Sequence, residues 1–361
     1  MTQRHDYVIS VRRVDARGRF EPEPGDETLF LKVPVAEAEY TPDHKISFER
    51  WRGEVNVIAE RDEESPVGSK GDLLIFVHGY NNKRSEILTR TRLLRETLLA
   101  EKWDGAVVAF DWPCDRSTLN YLEDRADARD TALRLVRDGI LKLGAIQDPE
   151  DRRLWERAGL PESARRRARP CELNIHLIGH STGAYVIMEA FAQAQSEGDL
   201  HRSAWRIGQV AFIGGDVSSD SVSAGSDWAK PMFQRVMRLT NYSNGFDDVL
   251  AVSNAKRLGT APRVGRVGLP RDHDRKAVNV DCSDYFQTID PDAAKFVGTF
   301  THSWHIGDPV FARDLAMTLE GRFDRNVIPT RETVNGKLQL RDQGRPTFAD
   351  RWSALGGGSG E

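Results

Sequence analysis

The sequence predicts an α/β fold with a mostly parallel central sheet, helices on both faces and antiparallel strands at its N-terminal edge. Three observations carry this. Short, wholly apolar runs rich in Val and Ile recur (LLIFV at 73–77, AVVAF at 106–110, VAFI at 210–213), as buried parallel strands require. Segments with helical periodicity separate them. Ahead of the first such run, residues 6–58 contain alternating stretches broken by Pro and Gly, the pattern of antiparallel strands.

In order, Tyr7–Val11, Thr28–Val33 and Val55–Ile58 are expected as the edge strands, so that residues 1–60 form the edge of the sheet and 61–340 the core. Glu60–Lys70 reads as a charged surface loop. Leu73–Val77 is the first buried strand, and it opens into His78-Gly79-Tyr80-Asn81-Asn82. Glu86–Leu99 is an amphipathic helix with Ile87, Leu88, Leu94 and Leu98 inward and arginines on the other face. Ala106–Phe110 ends in Asp111-Trp112-Pro113; Trp112 either lines a pocket or caps the core. Tyr121–Leu143 is a long helix with Asp and Arg on its exposed face. Gly144–Pro170 is a charged insertion, and its basic run Arg165–Arg169 reads as a solvated loop.

The centre of the chain is Glu172–Phe191, in which a strand (173–178) and a helix (184–194) enclose Gly179-His180-Ser181-Thr182-Gly183. This is G-x-S-x-G. A strand that turns sharply into a helix holds its turn residue in a strained conformation with the side chain exposed above the sheet. Glycines two residues before and after remove side chains that would collide there. Ser181 is thereby placed as a nucleophile. Val210–Ile213 then leads to Gly214-Gly215-Asp216, and Val217–Pro231 reads as a polar, mobile loop. Val236–Tyr242 closes in Ser243–Asp248 and a helix starts near Val249. Lys276–Asp281 is the last short strand. Thr301–His305 forms a turn, Pro309–Leu319 a helix, and 341–361 a disordered tail.

A serine hydroxyl needs a base, and the base needs a carboxylate to fix its tautomer. In α/β-hydrolases the order along the chain is Ser, acid, His. The candidates here are Ser181; Asp247, with Asp248 and Asp216 as alternatives; and His302, with His305 as the alternative and His273 read as exposed. The backbone N–H groups of Tyr80 and Thr182 are the candidate oxyanion donors, with Gly79 allowing close approach and His78 bracing the loop.

These residues resemble a family of bacterial α/β-hydrolases, a domain of unknown function with serine esterase or lipase similarity. The resemblance covers FVHGYNN at 76–82, Trp112-Pro113, Tyr121–Asp124, IGHSTGA at 178–184, YSNGFDDVLAVS at 242–253, Arg257-Leu258-Gly259 and HSW at 302–304. The family's acid precedes a Leu by three residues and its base sits in an H-S-aromatic turn. The resemblance thus implies Asp247 and His302. Gly-Gly before Asp216 and the enlarged 143–171 gap depart from the pattern.

With 361 residues, 29% charged and a net charge of −4, the chain makes no case for nucleic acid or an anionic membrane. Cys114, Cys171 and Cys282 are scattered and no H-E-x-x-H occurs, so neither metal nor cofactor is expected. The absence of an apolar leader or a run of ~20 apolar residues leads us to expect a cytoplasmic protein without a membrane span. The function read from the sequence is a serine hydrolase acting on a small carboxylic ester. Amide or thioester cleavage, or a non-catalytic binding or scaffolding module, are the alternatives.

Overall fold

A computed structural model of the chain describes residues 3–59, 72–103, 105–114, 121–144, 174–198, 200, 205–255 and 261–345. The charged loop expected at 60–70, the insertion and its basic run, Arg257-Leu258-Gly259 and most of the C-terminal tail lie outside the described residues.

Among the described residues ten strands form one sheet in the order β2-β1-β4-β3-β5-β6-β7-β8-β10-β9. They are β1 (His5–Val14), β2 (Phe20–Pro34), β3 (Asp72–Val77), β4 (Ala106–Asp111), β5 (Asn174–His180), β6 (Ile207–Ile213), β7 (Val236–Ser243), β8 (Ala277–Asp281), β9 (Arg331–Val334) and β10 (Lys337–Leu340). The strands from β1 through β4, β3 and β5 to β8 run parallel; β2 and β9 pair antiparallel at the two edges. Alternation along each strand sends apolar side chains to both faces of the sheet. Leu73, Ile75 and Val77 point to one face with Val108, Phe110 and Leu177, and Leu74 and Phe76 to the other with Val107 and Ile178. The first face is covered by α1 (Phe48–Ala59), α3 (Tyr121–Arg134) and α4 (Thr182–Ser196), the second by α2 (Arg84–Ala100) and α6 (Pro309–Glu320). A shorter helix, α5 (Asp248–Ala255), follows β7. No helix among the described residues is long and apolar enough to cross a membrane.

Several expectations need correction. Val55–Ile58 is not a strand but the end of α1: Val55 is buried and Val57 is 71% exposed, which alternation by two cannot produce. Trp51, Val55 and Ala59 instead share one buried helical face. β1 is not at the edge; it lies parallel to β4, with Ser10 beside Asp111, and of the two N-terminal strands only β2 is outermost. The outer strand carries Pro22 and Pro24 among Glu21, Glu23, Asp26 and Glu27. The long helix is α-helical only to Arg134, and Leu135–Leu141 is wound as a π-helix. The segment read as a mobile loop is packed: Val217, Val222 and Ala229 are buried and Ser219 Oγ donates to the Gly268 carbonyl at 2.9 Å. Lys276–Asp281 is not the last strand, because β9 and β10 form a hairpin beside it, with Gln339 paired to Asp281.

The hairpin is fixed by a buried ion pair. Arg331 and Asp314 lie 2.6 Å apart, with Tyr242 Oη and Thr330 Oγ1 each donating to the carboxylate at 2.6 Å. Burial alone would raise the Asp314 carboxyl, but Arg331 and the hydroxyls outweigh it and hold it below its ordinary value.

Candidate active site

The parallel strands deliver their carboxyl ends to one edge of the sheet, where α/β folds bind ligands. β5 ends at His180, α4 begins at Thr182, and Ser181 between them has φ 55° and ψ −124°. This left-handed conformation is unfavourable for a residue with a Cβ. Surrounding contacts hold it. Ser181 N–H donates to the Ile213 carbonyl at 3.1 Å, and the Ser181 carbonyl accepts from Asp216 N–H at 3.0 Å. The two flanking glycines are required for different reasons. A Cβ on Gly179 would lie 2.8 Å from Ala184 N, across the turn; one on Gly183 would lie 2.1 Å from the Val77 carbonyl oxygen, on the neighbouring strand. At the start of α4 the Ala184 N–H donates to the Ser181 carbonyl at 3.1 Å, and Thr182, the first residue of the helix, follows Ser181 directly at its positive end.

Asp247 and His302 are brought together. Asp247 is fully buried, and its Oδ2 accepts from His302 Nδ1 at 2.7 Å. Its other oxygen accepts from Leu250 N–H at 2.9 Å, so the same carboxylate caps α5. His302 lies in a helical turn, Phe300–Ser303, which Asn244 Nδ2 ties to the acid loop through the Thr301 carbonyl at 3.2 Å. Since Nδ1 donates to Asp247, Nε2 is the nitrogen left with a lone pair. The His302 ring rests on Gly214, where a Cβ would lie 3.0 Å from both Cε1 and Nδ1. Ser181 Oγ makes no hydrogen bond to His302 among the described residues; such contacts often close only when substrate is present.

The competing candidates are placed elsewhere. Asp248 is exposed at the start of α5. Asp216 pairs with Arg263 at 3.2 Å and accepts from Ser253 Oγ at 2.9 Å. His305 is buried between Trp304, stacked at 4.1 Å, and Phe311, and burial followed by the His302 charge lowers it to about 3. His273 is half-buried with Nδ1 on the Asp274 carbonyl.

Gly79 lies against Ser181: a Cβ there would be 2.7 Å from the serine Cβ. Tyr80 follows, half-buried against the core. Asn82 holds the loop by donating to the Gly79 and Tyr80 carbonyls at 2.6 and 2.9 Å, while Asn81 is exposed with φ 53°. His78 is fully buried; Nδ1 donates to the Gly79 carbonyl at 2.7 Å and Nε2 accepts from Trp112 N–H at 3.3 Å. Burial lowers His78 below its ordinary value despite the nearby Asp111 carboxylate. Trp112 does not line a pocket. It is fully buried, stacks on His78 at 5.4 Å, and donates from Nε1 to the His78 carbonyl at 2.8 Å.

Sequence reasoning missed two supports. Arg12 of β1 pairs with Asp111 at 2.8 Å and donates to the Trp112 carbonyl at 3.1 Å, so the N-terminal strand braces this loop. His180, inside the motif, donates from Nε2 to the His302 backbone carbonyl at 3.1 Å. Burial, then the charges of His302 and Arg90, hold its imidazole well below the ordinary value. No cluster of three or more metal-ligating side chains occurs among the described residues.

Residues 61–147 and 165–303 match the family described as alpha/beta hydrolase of unknown function (DUF900). The chain belongs to this family. Among solved structures, this hydrolase is similar to a lipase-esterase related protein from Clostridium acetobutylicum, at 9% identity over 70% of this chain and 94% of that one, with TM-score 0.30. It is also similar to esterase B from Lactobacillus rhamnosis (10% identity, 86% and 87% covered, TM-score 0.36). A third is a cutinase-like protein from Cryptococcus sp. (16%, 69% and 90% covered, TM-score 0.26). No curated protein matches the sequence.

Proposed function

We propose that this hydrolase is a serine esterase that cleaves a small carboxylic ester through an acyl-enzyme. The observation that carries the reading is the 2.7 Å contact between Asp247 and His302, next to a serine held at φ 55°. With Nδ1 committed to Asp247, His302 Nε2 takes the Ser181 proton as Oγ attacks the ester carbonyl. The tetrahedral oxyanion is stabilised by the N–H groups of Tyr80 and Thr182, each worth ~10²–10³ in rate in comparable sites. His302 returns the proton to the departing alkoxide, and the alcohol leaves. Water then attacks the acyl-enzyme, its proton again passing to Nε2 and back to Ser181 as the acid is released. No step needs a metal or cofactor. Asp247 orients the ring and stabilises the imidazolium while remaining ionised.

The test is labelling by a fluorophosphonate probe, with the modified peptide mapped by mass spectrometry. Wild-type protein is expected to be labelled at Ser181, and Ser181→Ala to be unlabelled and inactive toward short-chain p-nitrophenyl esters while remaining folded. A folded Ser181→Ala variant that keeps most of its esterase activity would sink the assignment. A wild type that neither labels nor hydrolyses esters would favour a binding module.

A further inference from the structure

Helix α2 carries four arginines, and three are neutralised by carboxylates: Arg84 pairs with Glu39, and Arg92 and Arg95 pair with Asp6. Arg90 differs. It is 5% exposed and no carboxylate lies within ion-pair distance of it among the described residues. It also contradicts the expectation that the arginines of this helix face solvent, since position 90 falls on the buried stripe of Ile87, Thr91, Leu94 and Leu98.

The guanidinium spends its donors on two loops. Nη1 donates to Asn82 Oδ1, and Nη2 donates to the Val297 carbonyl at 2.8 Å; Nε is buried with no acceptor. Asn82 in turn holds the Gly79 and Tyr80 carbonyls. Val297 lies just before the turn Phe300–Ser303 that carries His302. The fit on that side is close. Gly298 has φ 96°, and a Cβ there would lie 2.6 Å from Arg90 Nη2.

A buried cation with no carboxylate in ion-pair distance among the described residues, and only the Glu86 charge one helical turn away acting on it, is a burden on folding unless its hydrogen bonds offset the cost. We propose that Arg90 is a positioning residue: it fixes the loop bearing the Tyr80 oxyanion donor relative to the segment bearing the His302 base. Its catalytic consequence rests on the esterase reading, whereas the mechanical tie does not.

The test uses the full chain as Arg90→Met and Arg90→Lys. Hydrogen–deuterium exchange is read on peptides spanning 78–83 and 297–303, beside thermal midpoint, kcat, KM and fluorophosphonate labelling rate. Arg90→Met is expected to stay folded and to melt within a few degrees of wild type, the lost hydrogen bonds offsetting the relief of the buried charge, yet to exchange several-fold faster in both peptides and not in those of β6 and β7. Its kcat and labelling rate fall ~10–100-fold with KM within about twofold, the signature of lost alignment and not of lost binding. Arg90→Lys, which retains the charge and one donor, recovers at least half of that loss on a logarithmic scale. A folded Arg90→Met variant with unchanged exchange in either peptide, or with wild-type kcat, overturns the proposal. If Arg90→Met fails to fold, Gly298→Ala, which crowds the guanidinium while leaving Arg90 in place, is read in the same way. Should the wild type prove inactive, the esterase reading fails while the exchange measurement still decides the tie.

Discussion

Gly214→Ala probes the placement of His302, the base of the proposed mechanism, through a residue given no role in that chemistry. Gly214 has φ 52°, and an added Cβ would sit 3.0 Å from two His302 ring atoms and 3.3 Å from the His302 carbonyl. The left-handed conformation alone costs an alanine ~1 kcal/mol, and relieving the crowding adds ~1 kcal/mol. With an unfolding entropy of ~2 cal/mol/K per residue over a chain of 361 residues, ~2 kcal/mol lowers the melting temperature by roughly 3 °C. To restore ordinary contact the imidazole must retreat by ~0.5 Å; a displacement of ~1 Å can cost ~10² in rate, so ~10-fold is expected here. Differential scanning calorimetry and steady-state kinetics on a p-nitrophenyl ester measure both effects. We expect kcat to fall with KM within about twofold. A variant that melts with wild type and turns over at undiminished kcat would show that the His302 ring does not rest on Gly214 when the enzyme works.

Other outcomes can be read with the same assays. Asp247→Asn should lose ~10³–10⁴ in kcat by leaving His302 in the wrong tautomer, whereas Asp248→Asn, exposed on α5, should stay within about twofold; the reverse ranking would move the acid. Ser181→Gly should abolish turnover yet raise stability by ~1 kcal/mol, because glycine adopts φ 55° without strain; an unchanged or lower melting temperature would deny that strain is stored at this serine. Burial would raise Asp111, but the Arg12 guanidinium above all, with the Ser10 hydroxyl, outweighs it and brings it to about 2 from 3.8. Because the folded value lies below the unfolded one, this carboxylate's contribution of ~2 kcal/mol is complete above about pH 4 and fades as pH falls through about 2. Stability measured from pH 5 to 2 should therefore decline less steeply in Asp111→Asn than in wild type, and parallel curves would refute the argument.

The buried strands could be read from the sequence because both of their faces are covered, so that almost every residue is apolar and no periodicity need be resolved. α1 could not, because its Val55–Ile58 run is β-branched and too short to separate a helical period from an alternating one. The β9–β10 hairpin went unread although Asn335-Gly336, at φ 51° and 76°, is a strong two-residue turn signal. The flanking strands are short and mostly polar, anchored to the core by an ion pair, Leu340 and the partly buried Leu338. Residues at the candidate site divide in the same way. Ser181 announces itself through local backbone demands. Asp247 and His302 follow from order along the chain, whereas Arg12, Arg90 and His180 act through tertiary contacts that leave no local trace. Only the position of Arg90 on an apolar helical stripe hinted at burial.

The outermost strand has a consequence for how copies of this protein behave toward one another. A ten-stranded sheet with an open edge offers unpaired backbone groups to any extended chain it meets. At β2 the prolines Pro22 and Pro24 supply no N–H, and the strand is lined with charge, Glu21 and Glu23 pairing with Arg13 and Glu27 with Lys45. Prolines and charges of this kind disfavour edge-to-edge pairing of two copies at β2, one of the two edges of the sheet.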